Sequence, residues 1–189
     1  MRSCGPFLLL GAVLAGTPGC DPGTLLSETA PFREEFSYSY PLEAGAVLTL
    51  ENFNGPVEIM GWEKDEIRVS GIKHAPKEED LRQLKIEVAA ERHSVRIRTV
   101  ALAGRRSGCG ARYLVRVPKR IELDSIVTSN GSVRVEDIQG PARMGTSNGS
   151  IRLRQIAGRV EARTSNGTVT ASDLEGEARL RSSNGGITV

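Results

Sequence analysis

The sequence is poor in the residues from which most binding and catalytic sites are built. Its 189 residues include only 4 Phe, 3 Tyr and 1 Trp, too few to line an aromatic sugar cleft or a base-stacking groove. There are 2 His and 3 Cys, and His74 and His93 lie 19 residues apart with no cysteine or carboxylate pattern of metal-ligand spacing around them. No metal and no other cofactor is expected. Charge of one sign is missing too: 25 Lys and Arg against 23 Asp and Glu leave a formal net charge of +2, which argues against nucleic acid as a partner. Neither a Gly-Lys-Ser/Thr phosphate loop nor a His-Glu-x-x-His pair occurs, which removes two common motif-borne chemistries. The apolar run at residues 7–16 has 10 residues, too short for a helix that crosses a bilayer. What the chain does have is glycine, at 21 residues, and 39% hydrophobic residues, a balance that suits one turn-rich β domain.

The short apolar run, preceded by Arg2 and followed by Thr17-Pro18-Gly19-Cys20, reads as a secretory signal over residues 1–19. It resembles a bacterial lipoprotein signal, in which the cysteine after the cleavage point receives lipid. Lipidation at Cys20 is the expectation, with plain signal cleavage as the alternative; it makes the inner or outer membrane a partner through the lipid. Residues 20–32, with Pro22, Gly23 and Pro31, form a tether, and the folded domain runs over 33–189. Cleavage removes Cys4 and lipid occupies Cys20, which leaves Cys109 alone and no disulfide to form. Arg105 and Arg106 precede Cys109, and positive charge favours a thiolate, but with no histidine near it in sequence Cys109 reads as a passive loop cysteine.

Short β-type runs at residues 36–40, 46–50, 57–60 and 66–70 are separated by Pro41, Asn54-Gly55 and Gly61. Pro76 followed by Glu78-Glu79-Asp80 predicts one short helix within 76–84. Residues 84–88, 94–100 and 113–117 alternate apolar and polar residues as half-buried strands do. The strongest signal follows. Asn130-Gly131, Asn148-Gly149, Asn166-Gly167 and Asn184-Gly185, each preceded by Thr-Ser or Ser-Ser, recur every 18 residues over 128–189. Val133, Ile151, Val169 and Ile187 recur with them, as do Ile138, Ile156 and Leu174, and Met144, Ala162 and Leu180.

This pattern predicts an all-β fold, a right-handed β-solenoid with 18-residue rungs. Stacked rungs place the asparagines one above another, where their amides can bond along the stack, and glycine after asparagine is read as supplying a positive φ at each corner. The alternative is an antiparallel meander with Asn-Gly hairpin turns. Arg134, Arg152, Arg154, Arg163, Arg179 and Arg181, mixed with Glu136, Glu161 and Glu177, fall at outward positions.

Residues 51–59 (Glu-Asn-Phe-Asn-Gly-Pro-Val-Glu-Ile), Gly61-Trp62, the strand ending at Val117-Pro118-Lys119 and the Ser-Asn-Gly rungs together resemble the bacterial putative adhesin domain of the DUF4097 type, related to head-GIN autotransporter-adhesin-like domains. The resemblance covers most of the chain and implies an exported or membrane-attached β-solenoid without a catalytic site. Ile187-Thr188-Val189 falls partway through a rung, which leaves an edge open to pairing, including edge-to-edge self-association.

The function expected from these readings is non-enzymatic: a cell-envelope lipoprotein displaying a rigid β face to surface polysaccharides or envelope proteins. Arg134, Arg152, Arg154, Arg179 and Arg181 are its candidate contacts. An alternative is an envelope-stress sensor or regulator accessory that pairs a strand with a membrane partner. A weaker one is a polysaccharide-active enzyme with Asp137 and Asp173 on one column. Trp62 reads as core packing, with a surface anchor as the alternative.

Overall fold

The computed structural model describes residues 32–101 and 107–189. The signal, Cys20, the tether through residue 31, and Arg105 and Arg106 lie outside the described residues. Alternating sequence becomes strand throughout: β1 (Phe32–Pro41), β2 (Ala46–Asn54), β3 (Val57–Trp62), β4 (Glu66–Ala75), β5 (Lys85–Glu91), β6 (Ser94–Val100), β7 (Gly110–Pro118), β8 (Ile121–Asn130), β9 (Val133–Gln139), β10 (Ala142–Asn148), β11 (Ile151–Ala157), β12 (Val160–Asn166), β13 (Val169–Glu175), β14 (Ala178–Asn184) and β15 (Ile187–Thr188). The helix expected within 76–84 is α1 (Glu78–Gln83), with Glu78, Glu79 and Asp80 in its first turn, where the helix dipole favours acids.

The strands make two sheets. The first runs β1-β4-β7-β3-β9-β11-β13-β15 and the second β14-β12-β10-β8-β2-β6-β5. Each repeat contributes one strand to each sheet, and equivalent residues pair in parallel: Ala142 with Val160 and Val160 with Ala178, Ile151 with Val169 and Val169 with Ile187. An antiparallel meander is excluded by this pairing, and the fold is an all-β solenoid. The inward residues form unbroken columns. Val57, Val133, Ile151 and Val169 are fully buried, and burial of such a side chain contributes about 1.5–3 kcal/mol. The columns thin toward the last rung, where Leu174 and Leu180 are half-buried and Ile187 is 46% exposed.

The regular stack is longer than residues 128–189. β2 pairs in parallel with β8, Asn54 against Asn130, and β3 with β9, Val57 against Val133. On their other side β2 pairs with β6 and β3 with β7. The rung made of residues 46–62 therefore sits between one made by β6 and β7 and one made by β8 and β9, out of chain order. Beyond β6 and β7 the stack is closed by antiparallel strands: β5 on β6, and β4 then β1 on β7. The rings of Phe36 and Tyr113 meet edge-on there at 5.4 Å. Ala75, Leu81, Leu84 and Cys109 form a small second core under α1.

A phase shift recurs in β9, β11 and β13. Asp137, Gln155 and Asp173 have φ of 62°, 54° and 54°, a left-handed conformation that costs an L-residue about 1–2 kcal/mol. Strict alternation after the inward Val135 would turn Ile138 outward. The left-handed residue reverses the phase, so Val135 and Ile138 both reach the core.

Candidate functional site: the corner ladder and the outer face of the first sheet

At the corner of each rung the Thr-Ser-Asn-Gly motif divides its work. Thr146 points inward, is buried, and donates from Oγ1 to the carbonyl of Gly131 at 2.9 Å; Thr164 and Ser182 repeat this toward Gly149 and Gly167. The asparagines point outward and form a ladder in which Asn184 Nδ2 donates to Asn166 Oδ1, Asn166 to Asn148, and Asn148 to Asn130, at 2.8–2.9 Å. The glycines serve a purpose other than the one read from sequence. Gly131, Gly149, Gly167 and Gly185 do not have left-handed φ; a Cβ on any of them would overlap the carbonyl oxygen of the corner glycine in the preceding rung. Close stacking excludes a side chain there.

The outer face of the first sheet carries two rows of side chains in register. One runs through Arg116, Met60, Glu136, Arg154 and Ser172, the other through Leu114, Glu58, Arg134, Arg152 and Thr170. Glu136 is the buried charge of this face, its side chain 8% exposed and held by Arg134 at 2.6 Å and Arg154 at 2.9 Å. Burial pushes its carboxyl up, but the hydrogen bonds and charges of Arg134 and Arg154 outweigh that and hold it below the usual range. Among the described residues, Arg112, Arg116 and Arg152 have no carboxylate at ion-pair distance. Trp62 is a correction to the sequence reading: it is half-buried on the outside, its Nε1 donating to the Glu66 carbonyl at 2.8 Å. Lys64, Arg68 and Arg116 surround its ring at 5.1, 5.3 and 5.9 Å, a cation–π cluster. Met60, two residues before it on β3, is exposed, as is Leu114 farther along the face.

The five arginines named from sequence do not share one surface. Arg134, Arg152 and Arg154 lie on this face, whereas Arg179 and Arg181 lie on β14 in the other sheet, Arg179 paired with Glu177 at 2.9 Å. Sequence reading missed Arg112 and Arg116, although their alternation with buried Tyr113, Val115 and Val117 places them outward. Asp137 accepts an ion pair from Lys119 at 3.4 Å, and left-handed Gln155 separates it from Asp173 along the column.

Cys109 is buried, and burial, with Asp80 nearby, pushes its thiol up rather than down, as befits an inert cysteine. Residues 145–149 have the letter spacing Gly-x-Ser-x-Gly, a match the sequence reading overlooked. It lies in β10 and its corner rather than at a strand-to-helix turn, in register with the equivalent repeats, so it is a solenoid corner and not a nucleophile elbow. No group of three or more His, Cys, Asp or Glu fit to hold a metal occurs among the described residues. No helix among them is long and apolar enough to cross a membrane.

These features define a two-sheet parallel β-solenoid with an arginine-bearing outer face. No family model matches the chain, and no curated protein matches its sequence. Among solved structures, a "putative cell adhesion protein" from Clostridium sporogenes aligns over 82% of this chain and 98% of its own, at 12% identity and a TM-score of 0.53. At that identity the likeness shows the shared fold alone. A "putative adhesin" from Bacteroides fragilis aligns at 11% identity and TM-score 0.39, over 84% of this chain and 99% of its own. That overlap is too loose to bear on the fold.

Proposed function

We propose that the chain is a non-enzymatic adhesion-type module of the bacterial cell envelope, exported and tethered through lipid on Cys20, that holds anionic surface polymers against the outer face of its first sheet. The observation that carries this reading is the placement of Arg116, Arg134, Arg152 and Arg154 on one face of the first sheet, Arg134 beside Arg152 on adjacent β9 and β11 and Arg116 on β7 with β3 between, Arg116 and Arg152 having no carboxylate at ion-pair distance among the described residues. Strand spacing sets Arg134 and Arg152 about 4.8 Å apart and β7 about 10 Å from β9, a span that one extended polyanion bridges. The name of the Clostridium sporogenes protein is in keeping with adhesion.

The test is retention of the full-length protein, in membranes or detergent, on immobilised acidic and neutral polysaccharides. Wild type retained on the acidic polymer, and Arg116→Gln/Arg152→Gln retained at least tenfold less, supports the reading. Equal retention of both proteins, or of wild type on both polymers, overturns it. The tether is tested separately: Cys20→Ala releases the protein from the membrane fraction if lipid holds it there.

A second reading, strand pairing with a membrane partner, is favoured by one observation: β15 is the outermost described strand of its sheet, and Ile187 on it is exposed. Ile187→Pro abolishes capture of such a partner in that case and leaves retention on acidic polymers intact.

A further inference from the structure

A cleft opens where β1, β4 and β7 approach the first corners of the asparagine ladder. Its volume is about 280 Å³, near the lower end of the 300–1,000 Å³ typical of small-molecule sites. The ionisable side chains that line it are Arg33, His74 and Arg112, all of them basic. Arg33 stands directly opposite His74 across the β1–β4 pair, and Arg112 lies on β7 in register with Ile72, two residues from His74. His74 is itself in register with Gly110, which puts no side chain over that part of β7.

The opposite wall is the end of the ladder. Each rung amide donates to the rung before it, so the series stops at Asn130, whose Oδ1 accepts from Asn148 while its Nδ2 has no acceptor among the described residues. Asn54, the next corner along, turns its Nδ2 to the Cys109 carbonyl at 2.9 Å. The cleft is therefore lined by Asn130, Asn54 and Ser132 on the ladder side and by Arg33 and Arg112 on the side of β1 and β7. Ile72 and Pro56 supply apolar surface between them.

We propose that this cleft binds a carboxylated sugar unit, a uronic acid residue of an acidic glycan, with the carboxylate on Arg33 and Arg112 and the ring hydroxyls on Asn130, Asn54 and Ser132. Paired guanidinium groups match the two oxygens of a carboxylate, while amides and a hydroxyl match the donor and acceptor hydroxyls of a sugar. The apolar patch suits the face of a pyranose ring. Burial, and then Arg33, lower the His74 pKa, so the imidazole adds a donor without a third full charge beside the two guanidinium groups near neutral pH. The site is distinct from the rows that carry Arg116 and Arg152, and it stands whether or not that face is adhesive.

The experiment is an NMR titration of the isotopically labelled full-length protein in detergent with digalacturonate, a neutral digalactoside and inorganic sulfate. Saturable shifts of the Asn130 side-chain amide and of the Arg112 and His74 signals with digalacturonate, at least tenfold weaker with the other two, are expected. Arg112→Gln weakens digalacturonate binding at least tenfold. Arg163→Gln, on β12 of the second sheet, leaves it unchanged, which shows that the loss at Arg112 is local to the cleft. Sulfate binding as tightly shows a site that reads charge without sugar and overturns the proposal, as does equal binding of the neutral disaccharide. Absence of saturable shifts with digalacturonate overturns it as well.

Discussion

Asn52 on β2 and Thr128 on β8 stand at the same register position, and both donate to one carbonyl, that of Gly55, each at 3.1 Å. The two side chains are buried at the corner of adjacent rungs. Asn52 reaches further than threonine can and also donates to the Ala111 carbonyl at 2.8 Å, tying the irregular rung of β6 and β7 to the regular stack.

Asn52→Ala leaves the buried Ala111 carbonyl without this donor, and an unmet buried polar group costs about 1–3 kcal/mol. Urea unfolding is expected to show a loss of that order. Asn52→Thr, which restores the repeat residue but cannot span both carbonyls, is expected to fall between wild type and the alanine variant.

Gly149→Ala forces a Cβ against the Gly131 carbonyl. Overpacking of this kind typically costs about 1–3 kcal/mol, and the backbone on both sides cannot yield without breaking ladder bonds. At Gly186 a Cβ meets nothing within 4 Å, so Gly186→Ala is expected to shift stability by no more than about 0.5 kcal/mol. Denaturation midpoints of the two variants in parallel check the contrast.

Glu136 gives a pH signature. Its carboxyl is held below the ordinary value of 4.5, so its pairing stabilises the fold fully above that value and is lost as pH falls through the lower folded value. Glu136→Gln is less stable than wild type at pH 7, and the gap between them narrows as the pH is lowered through the carboxylate range. Chemical denaturation at stepped pH reads the gap directly; a gap constant with pH contradicts the assignment.

Tyr113 acts at the other end of the scale. Burial pushes its phenol up to about 12, against the hydrogen bond with Thr99, with a smaller upward push from Tyr38. A raised pKa contributes stability that is present below pH 10 and is lost as the pH rises through about 12. Tyr113→Phe gives up the bond to Thr99, worth about 1 kcal/mol at neutral pH, and loses less stability than wild type between pH 10 and 12. Thermal melts across that range check the convergence.

The repeat half of the fold was legible because its signals are local and multiplied. The spacing of Asn130, Asn148, Asn166 and Asn184, with Val133, Ile151 and Val169 in phase, gives rung length, corner and core face together. The first half was legible as strands but not as a rung. Asn52-Phe53-Asn54-Gly55-Pro56-Val57 matches Thr128-Ser129-Asn130-Gly131-Ser132-Val133 at the asparagine, the glycine and the valine, yet it lies 76 residues away, outside any regular period. The corner glycines were read as conformational devices because sequence shows their neighbours in the chain and not the carbonyl that passes over them. The basic cleft was invisible for a similar reason: Arg33, His74 and Arg112 come from β1, β4 and β7, which antiparallel pairing alone brings together.

The out-of-order rung of residues 46–62 divides the molecule into two kinds of matter. From β10 onward each rung touches only its neighbours, so shortening from that side removes one layer at a time, as from a linear polymer. The described residues up to 139 behave differently, because neither β6 and β7 nor β8 and β9 find their place until β2 and β3 stand between them. That block must close long loops before any contact repays them, and it is the slow, all-or-none seed. Synthesis delivers it first, and each later 18-residue segment then condenses on a finished template, so the stack grows in one direction.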